Sequence, residues 1–515
     1  MARSLSGTES GLIAAIFAVV LVAPVLYFAG VVDDAMITFR YADNFLGAHG
    51  LVFNVGDRVQ GYTHPLWLIL LLPGLALLDD PVYVSVLYGA ILTLLFGWVV
   101  ARAVLDAGDH RPIAMWTLGL FAAVLVTGEA WRSFQTSGLE NSLTGLLVAL
   151  IAVELWRPRV SDLRLASFSV LLVLARPDLG FLVFPLAIVV AEQTLEHQDW
   201  RSFARLSMTA LPLLAWALFA QLYYGQVEPN TADAKLGIYA SVWESSRQGL
   251  DYLADWVEYE PVAAVAAAAF LSLGLVSARD WRHRAFLLGL VTYAAYVVFI
   301  GGDFMRGRLF LPSFTGACVF GALAFVRWRP AMRAPGFMAL TTGLVVILGV
   351  LVSPHQDGGI NDKGIANERL AYSGYGLSSY IEHSELTNRV VDLDLALSLA
   401  KYAEACGPVT IHHANPGTLG YLAGPDVTLI DTMGLTDEVI AALPRSEQVD
   451  EHPRPGHPTK RMPVSYLARR GDISLFAGWT EAVEQLDCNF RDYPRLFVDS
   501  TDKVLPNVVY LVVTN

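Results

Sequence analysis

Positive charge is scarce in this chain. Its 35 Lys and Arg stand against 48 Asp and Glu, a formal net charge of −13, and charged residues make up only 16% of the 515. A soluble globular domain averages about 25% charged, so a wholly aqueous fold is excluded, and the mean hydropathy of +0.47 agrees. A nucleic-acid partner is excluded too, since phosphate backbones are bound by clustered Lys and Arg. Cysteine is equally sparse: three residues are too few for a disulfide framework or a thiolate metal site. Cys318 lies inside an apolar run, while Cys406 and Cys488 either pair in an oxidising compartment or are two ordinary buried thiols. His412, His413, His452 and His457 match no zinc spacing, so neither a metal site nor a cofactor is expected. Internal repeats and low-complexity tracts are lacking.

What fills the space is apolar: 54% of the residues are hydrophobic. Gly11 to Val32 carries no charge, and roughly twenty such residues at about 1.5 Å each cross a hydrocarbon core of about 30 Å. The stretch is longer than a signal-peptide core and lacks a clean cleavage site, so it reads as a first span. Further apolar runs centre near residues 93, 120, 148, 170, 186, 213, 268, 292, 317 and 344. Together they predict a polytopic α-helical membrane protein of about eleven transmembrane helices. The break at Arg176-Pro177-Asp178 makes residues 165–194 either one crossing or two. With two, Arg102 and Arg111, Arg157, Arg159 and Arg164, Arg201 and Arg205, Arg279, Arg282 and Arg284, and Arg327, Arg329 and Arg333 all fall on one side. Positive charge marks that side as cytoplasmic. The N-terminus is then cytoplasmic, and the C-terminal region lies outside a cell membrane crossed many times. After Ser353 the composition turns polar and rich in Gly and Pro. The reading is a transmembrane domain over 1–355, with a first outer loop at 32–82, and a small α/β soluble C-terminal domain over 356–515. In the latter, Leu386 to Ala405 has helical spacing, while Val409 to His412, Val427 to Ile430 and Val508 to Val513 read as strands.

The chemistry-bearing residues fall at predicted outer span ends. Asp33 and Asp34 follow the first span directly. Two carboxylates that close raise one another's pKa, which suits a general base, although a solvated helix terminus or N-cap is the plainer alternative. Gly301-Gly302-Asp303-Phe304-Met305-Arg306-Gly307-Arg308 offers two guanidinium forks for phosphate oxygens, with glycines that allow a ligand close to the backbone. Anchoring to lipid headgroups is the competing role for such arginines. Arg40, His64 and Lys235 are further phosphate candidates. Asp178 and Asp303 either orient the neighbouring arginine, hydrogen-bond a sugar, or form structural ion pairs. Tyr62 fits sugar stacking, or an interfacial aromatic belt.

The run from Asp33 to Trp67, DDAMITFRYADNFLGAHGLVFNVGDRVQGYTHPLW, resembles the opening of the membrane-bound terminal arabinofuranosyltransferases of mycobacterial cell walls and their flagellar-motor-control-named relatives. The likeness continues through Ala175-Arg176-Pro177-Asp178, Pro229-Asn230-Thr231 with Ala234-Lys235, and the Gly301–Arg308 motif. In the C-terminal region it includes Pro416-Gly417-Thr418-Leu419-Gly420-Tyr421, Ile430-Asp431, Gly434-Leu435-Thr436-Asp437 and Pro455-Gly456-His457 with Lys460. The spacing of His457 and Lys460 departs from that family's tighter one.

The resemblance implies a GT-C fold and transfer of a sugar from a polyprenyl-phosphate donor to a glycan acceptor outside the cell, with membrane lipids as surroundings. Asp33 and Asp34 become the catalytic acids of the first outer loop. Arg306, Arg308, Arg40, His64 and Lys235 bind the donor phosphate, and Tyr62, Arg176, Asp178, Asn230 and Asp303 bind substrate. It also implies retention of the anomeric configuration, which a single in-line displacement would invert. Transfer of a hexose or aminosugar to protein or lipid is the nearest alternative. A transporter of the lipid-linked sugar fits less well, because the charges sit at span ends and no halves repeat. A non-catalytic motility factor is opposed by the intact Asp33, Asp34, Arg306 and Arg308.

Overall fold

Apolar segments without interior charge satisfy their backbone in lipid only as helices, and helices dominate the chain. The computed structural model describes residues 7–78, 80–108, 111–196, 200–236, 238–327, 360–367, 393–414, 416–449, 454–463, 466, 472–475 and 510–513. In chain order the helices are α1 (Gly7–Tyr27), α2 (Asp33–Leu46), α3 (Pro65–Leu78), α4 (Pro81–Ala107), α5 (Arg111–Thr127), α6 (Glu129–Phe134), α7 (Asn141–Leu155), α8 (Asp162–Ala175) and α9 (Gly180–Glu196). Then come α10 (Trp200–Thr209), α11 (Leu211–Tyr224), α12 (Asn230–Leu236), α13 (Val242–Tyr259), α14 (Pro261–Ser277), α15 (Trp281–Phe299) and α16 (Leu311–Arg327). The C-terminal region adds α17 (Leu393–Cys406), α18 (Thr418–Ala423) and α19 (Glu438–Ala441).

Among the described residues every expected apolar run coincides with a helix, and the run near 344 lies outside them. Four stretches are long and apolar enough to cross a bilayer: Gly7–Tyr27, Pro81–Ala107, Pro177–Glu196 and Arg308–Arg327. Two bent pairs, α10–α11 at 41° and α13–α14 at 105°, raise this to six. Of the eleven runs read from the sequence, those near 120 and 148 fall on α5 and α7, which are apolar but short, those near 170 and 292 on α8 and α15, which are not both long and apolar enough, and that near 344 lies outside the described residues. Side chains on the bundle exterior, such as Leu77 (83% exposed) and Val276 (81%), have no protein neighbours to hide against; lipid is the solvent that suits them. At Arg176 the chain doubles back: α8 and α9 pack together, and α10, which follows α9, packs on both. The stretch at 32–82 is not a single loop, since it contains the amphipathic α2 and the apolar α3.

The β-branched segments of the C-terminal region form a four-stranded sheet of order β2-β1-β4-β3, from β1 (Val409–His413), β2 (Val427–Asp431), β3 (Asp472–Leu475) and β4 (Tyr510–Val513). β1 and β2 run parallel with α18 between them in sequence, and β4 is antiparallel to β1 and β3. The described strands β1, β2 and β4 fall on the segments read as strands, and β3 was not anticipated. Cys406 at the end of α17 is disulfide-bonded and Cys318 is a free buried thiol, while Cys488 lies outside the described residues, as does His452. The C-terminal region is fastened to the helices at several places: α18 packs on α2, α19 packs on α12, and residues 360–367 bridge to the loop at Met305.

Candidate functional site

Helix α2 begins at Asp33, so its first turn exposes unpaired backbone N–H groups that favour both carboxylates. The two then diverge. Asp33 accepts hydrogen bonds from the Thr418 backbone N–H (2.8 Å) and hydroxyl (2.6 Å), and a Cβ on Gly417 would collide with it. It caps α18 and belongs to the seam with the C-terminal region. Asp34 faces the other way. It is half-buried, its side chain has no hydrogen-bond partner among the described residues, and its charged neighbours are Lys235, Arg308, Asp303 and His64. Burial raises its pKa, with Asp303 adding to the rise, while Lys235, Arg308 and His64 pull it back.

One turn on from Asp34, Thr38 Oγ1 lies 2.7 Å from His64 Nε2, and His64 Nδ1 lies 3.1 Å from Glu140 Oε2. Glu140, fully buried just before α7, also receives Arg176 (3.1 Å) and Arg308 (3.3 Å) on Oε1. Burial alone would raise its pKa, but Arg308, His64 and Arg176 outweigh that and hold it well below the usual carboxylate range. Arg308 further contacts Asp303 at 3.5 Å, and its Nε is buried with no hydrogen-bond partner among the described residues. Lys235 on α12 extends over the Phe304 ring (5.9 Å), Arg454 approaches the same ring at 5.7 Å, and His457 stacks edge-on against it (4.3 Å). Burial, then Arg454, lowers the His457 pKa to about 4, so it is neutral at pH 7.

Of the residues singled out from sequence, Asp34, His64, Lys235, Asp303 and Arg308 therefore converge. Arg176 joins them through Glu140, whereas Asp33, Arg40, Arg306, Tyr62 and Asn230 do not, each for a physical reason. Arg40 is buried with its guanidinium bound to the carbonyls of Phe53 (2.6 Å), Val427 (2.6 Å) and Gly420 and stacked on Phe53; it joins α2 to the sheet and has no fork to offer a phosphate. Arg306 makes a two-pronged pair with Asp255 (2.8 and 3.3 Å) and lies 3.6 Å from the Tyr259 ring centroid. Arg176 is bidentate on Asp178 (2.8 and 3.0 Å), the structural ion pair that was the alternative for this motif. Tyr62 is core: its hydroxyl bonds Tyr224 (3.0 Å) and its ring packs against Tyr41 and Trp216. Asn230 donates to the carbonyls of Gly434 (2.6 Å) and Leu435, fastening α12 to the C-terminal region. Gly302 adopts φ +72°, but what approaches its backbone is the Tyr252 ring rather than a ligand.

Thr38, Glu140 and Arg454 of the site were missed, as was Asp255, which pairs with Arg306. Glu140 opens an apolar run, and an ionisable residue at such a position is a functional candidate by default. Asp255 lies on the acid-rich face of α13 and gave no distinguishing signal. Arg454 immediately precedes the Pro455-Gly456-His457 motif.

No family model matches the chain. It is similar to the terminal β-(1→2)-arabinofuranosyltransferase of Mycobacterium tuberculosis, 25% identical over 88% of this chain and 84% of the relative. It is also similar to the enzyme of the same name from Corynebacterium glutamicum, 29% identical over 55% of this chain; there the matched region is 46% of the relative, less than half its length. Among solved structures, ArnT from Cupriavidus metallidurans in the apo state aligns over 91% of this chain and 96% of that one, with TM-score 0.48 and 13% identity. Its complex with undecaprenyl phosphate gives TM-score 0.46 and 15% identity over 85% and 77%.

Proposed function

We propose that this chain, a homologue of terminal β-(1→2)-arabinofuranosyltransferases, is a membrane glycosyltransferase. In this reading it moves arabinofuranose from a polyprenyl-phosphate donor to a cell-envelope glycan on the outer face of the membrane. The observation that carries this reading is Asp34: a carboxylate without a hydrogen-bond partner among the described residues, at a helix N-terminus, ringed by Lys235, Arg308 and His64. A carboxylate so placed accepts a proton readily and stabilises developing positive charge on a sugar. The acceptor O–H proton passes to Asp34. The acceptor oxygen bonds to the anomeric carbon on the face from which the phosphate departs, so that configuration is kept, and the bond to the phosphate oxygen breaks with its electron pair staying on phosphate. The products are the extended glycan and a polyprenyl phosphate carrying one more negative charge.

Glu140 gives this centre its rigidity, because it orients His64, Arg308 and Arg176 together from one buried position. Asp303, held by Arg308, is placed to accept sugar hydroxyls. The test is turnover by the purified chain with polyprenyl-phosphate arabinose and a short arabinan acceptor, against other pentose and hexose donors. Arabinose transfer that disappears in Asp34→Asn supports the reading. Equal or better use of a hexose changes the sugar, and lipid-linked sugar crossing the bilayer without transfer sinks the enzyme altogether.

A further inference from the structure

Two consecutive glycines open the Gly301–Arg308 loop, and each receives a tyrosine ring. A Cβ on Gly302 would collide with the Tyr252 ring, and one on Gly301, at φ +93°, would collide with the Tyr239 ring. The two phenols differ in what their hydroxyls do. Tyr252 is satisfied: it donates to the Met305 carbonyl (2.7 Å) and accepts the Leu309 N–H (3.2 Å), so it holds the loop in shape. The Tyr239 hydroxyl is buried and has no hydrogen-bond partner among the described residues. Its place is nevertheless fixed. Glu244 accepts the neighbouring Ala240 N–H (2.8 Å), Ser241 caps α13 by accepting the Glu244 N–H (3.2 Å), and Ile238 is buried, so the turn from α12 into α13 keeps this ring against the loop.

A buried hydroxyl without a partner is costly to desolvate, and a native fold keeps one where something else completes it. The charges that act on Tyr239 are Glu244 and Asp303, both negative. A phosphate or any other anion is disfavoured beside them, whereas an uncharged hydroxyl is not. Asp303 also acts on Asp34, so Tyr239 borders the reacting centre across Asp303. The Asp303 carboxylate has lone pairs to spare, since the Phe304 N–H (2.9 Å) meets one oxygen and Arg308 (3.5 Å) the other. We infer that Tyr239 is a sugar-binding residue, its O–H donating to a ring hydroxyl of a substrate sugar whose own proton points to Asp303. A hydroxyl that accepts from a phenol and donates to a carboxylate is read in both directions. The pair therefore rejects a sugar lacking that one hydroxyl, because its loss leaves two buried groups unpaired. The assignment rests on the glycosyltransferase reading for the class of its ligand, and the sugars of donor and acceptor share the chemistry it describes.

The test is equilibrium binding of arabinofuranosyl phosphoryl farnesol, of a short arabinan and of sugar-free farnesyl phosphate to the full chain in nanodiscs. The unaltered chain is compared with Tyr239→Phe and Tyr252→Phe. Tyr239→Phe should weaken the arabinosyl lipid or the arabinan by about tenfold, the size of one hydrogen bond lost with a buried group left unpaired, and leave farnesyl phosphate untouched. The probe that loses affinity identifies the sugar as the donor's or the acceptor's. The melting temperature of Tyr239→Phe should stay level or rise, since the hydroxyl removed has no partner in the fold, whereas Tyr252→Phe should melt lower. Among the monodeoxy forms of the affected probe, one should bind the unaltered chain as weakly as the parent binds Tyr239→Phe, with little further loss in the variant. Unchanged affinity for both sugar probes in Tyr239→Phe overturns the assignment and leaves the hydroxyl to water. So does an equal loss for all the probes, which makes the ring structural. Absence of arabinose transfer with the hydroxyl-dependent binding intact would instead strike the activity and leave the sugar contact in place.

Discussion

Asp33 and Asp34 are adjacent in the chain yet diverge in the fold, because successive helical residues point about 100° apart. Asp34→Asn should lower turnover by about two orders of magnitude or more, the usual contribution of a general base, whereas Asp33→Asn should loosen the seam with α18 and leave the chemistry running. The pH dependence has a definite sign. Burial raises the Asp34 pKa above 3.8, and a base works only when ionised, so kcat/KM should fall as pH drops through that raised value. The native state holds this proton longer than the unfolded chain does, so stability is lost as pH rises through the native pKa. Asp34→Asn should therefore be at least as heat-stable at neutral pH as the unaltered chain. A variant that loses both activity and melting temperature would make Asp34 structural. Arg306→Lys gives the opposite pattern: with Asp255 left imperfectly paired in a buried position, it should cost about 1–3 kcal/mol of stability and leave the KM for donor unchanged. Both readings were open in the sequence, where Arg306 and Arg308 look alike; only the position of Asp255, fifty-one residues away, separates them.

At the scale of elements, α2 carries two functions on two faces. Asp34 and Thr38 look into the site, while Asp33 and Arg40 hold α18 and β2, and Phe39 packs edge-on against Tyr421. That division was half legible. A helix stands at each described apolar run, and α17, β1 and β2 stand where periodicity predicted them, because local pattern reflects local burial, whereas α2, α3, α10, α12 and α13 were not foreseen. Strand β3 was not anticipated, since its partner β4 lies far along the chain, and no short segment shows which distant edge it will complete. Likewise the motif residues Arg40, Tyr62 and Asn230 carry no mark that distinguishes holding the fold from holding a ligand. The seam itself is testable. Thr418→Val keeps the shape of the side chain and removes its hydroxyl bond to Asp33, which should cost about 1 kcal/mol and speed proteolysis of the C-terminal region.

Across the whole molecule, the sheet region and the site must share one side of the membrane. Thr418 caps onto Asp33, Asn230 reaches Gly434 and Leu435, and Arg454 meets Phe304, so no bilayer can lie between them. We propose, from the loop arginines, that the opposite face is cytoplasmic and that the site and the C-terminal region lie outside. Exposed positions on each partner turn this into a measurement: Val55 in the stretch after α2 and Val439 on α19 are both 43% exposed. In intact cells a membrane-impermeant thiol reagent should label Val55→Cys and Val439→Cys alike, above the background of the unaltered chain. If both label only in inside-out vesicles, the orientation is inverted while the shared side stands. If one labels from outside and the other from inside, the packing of α18 on α2 is wrong, and with it the contribution of Arg454 to the site.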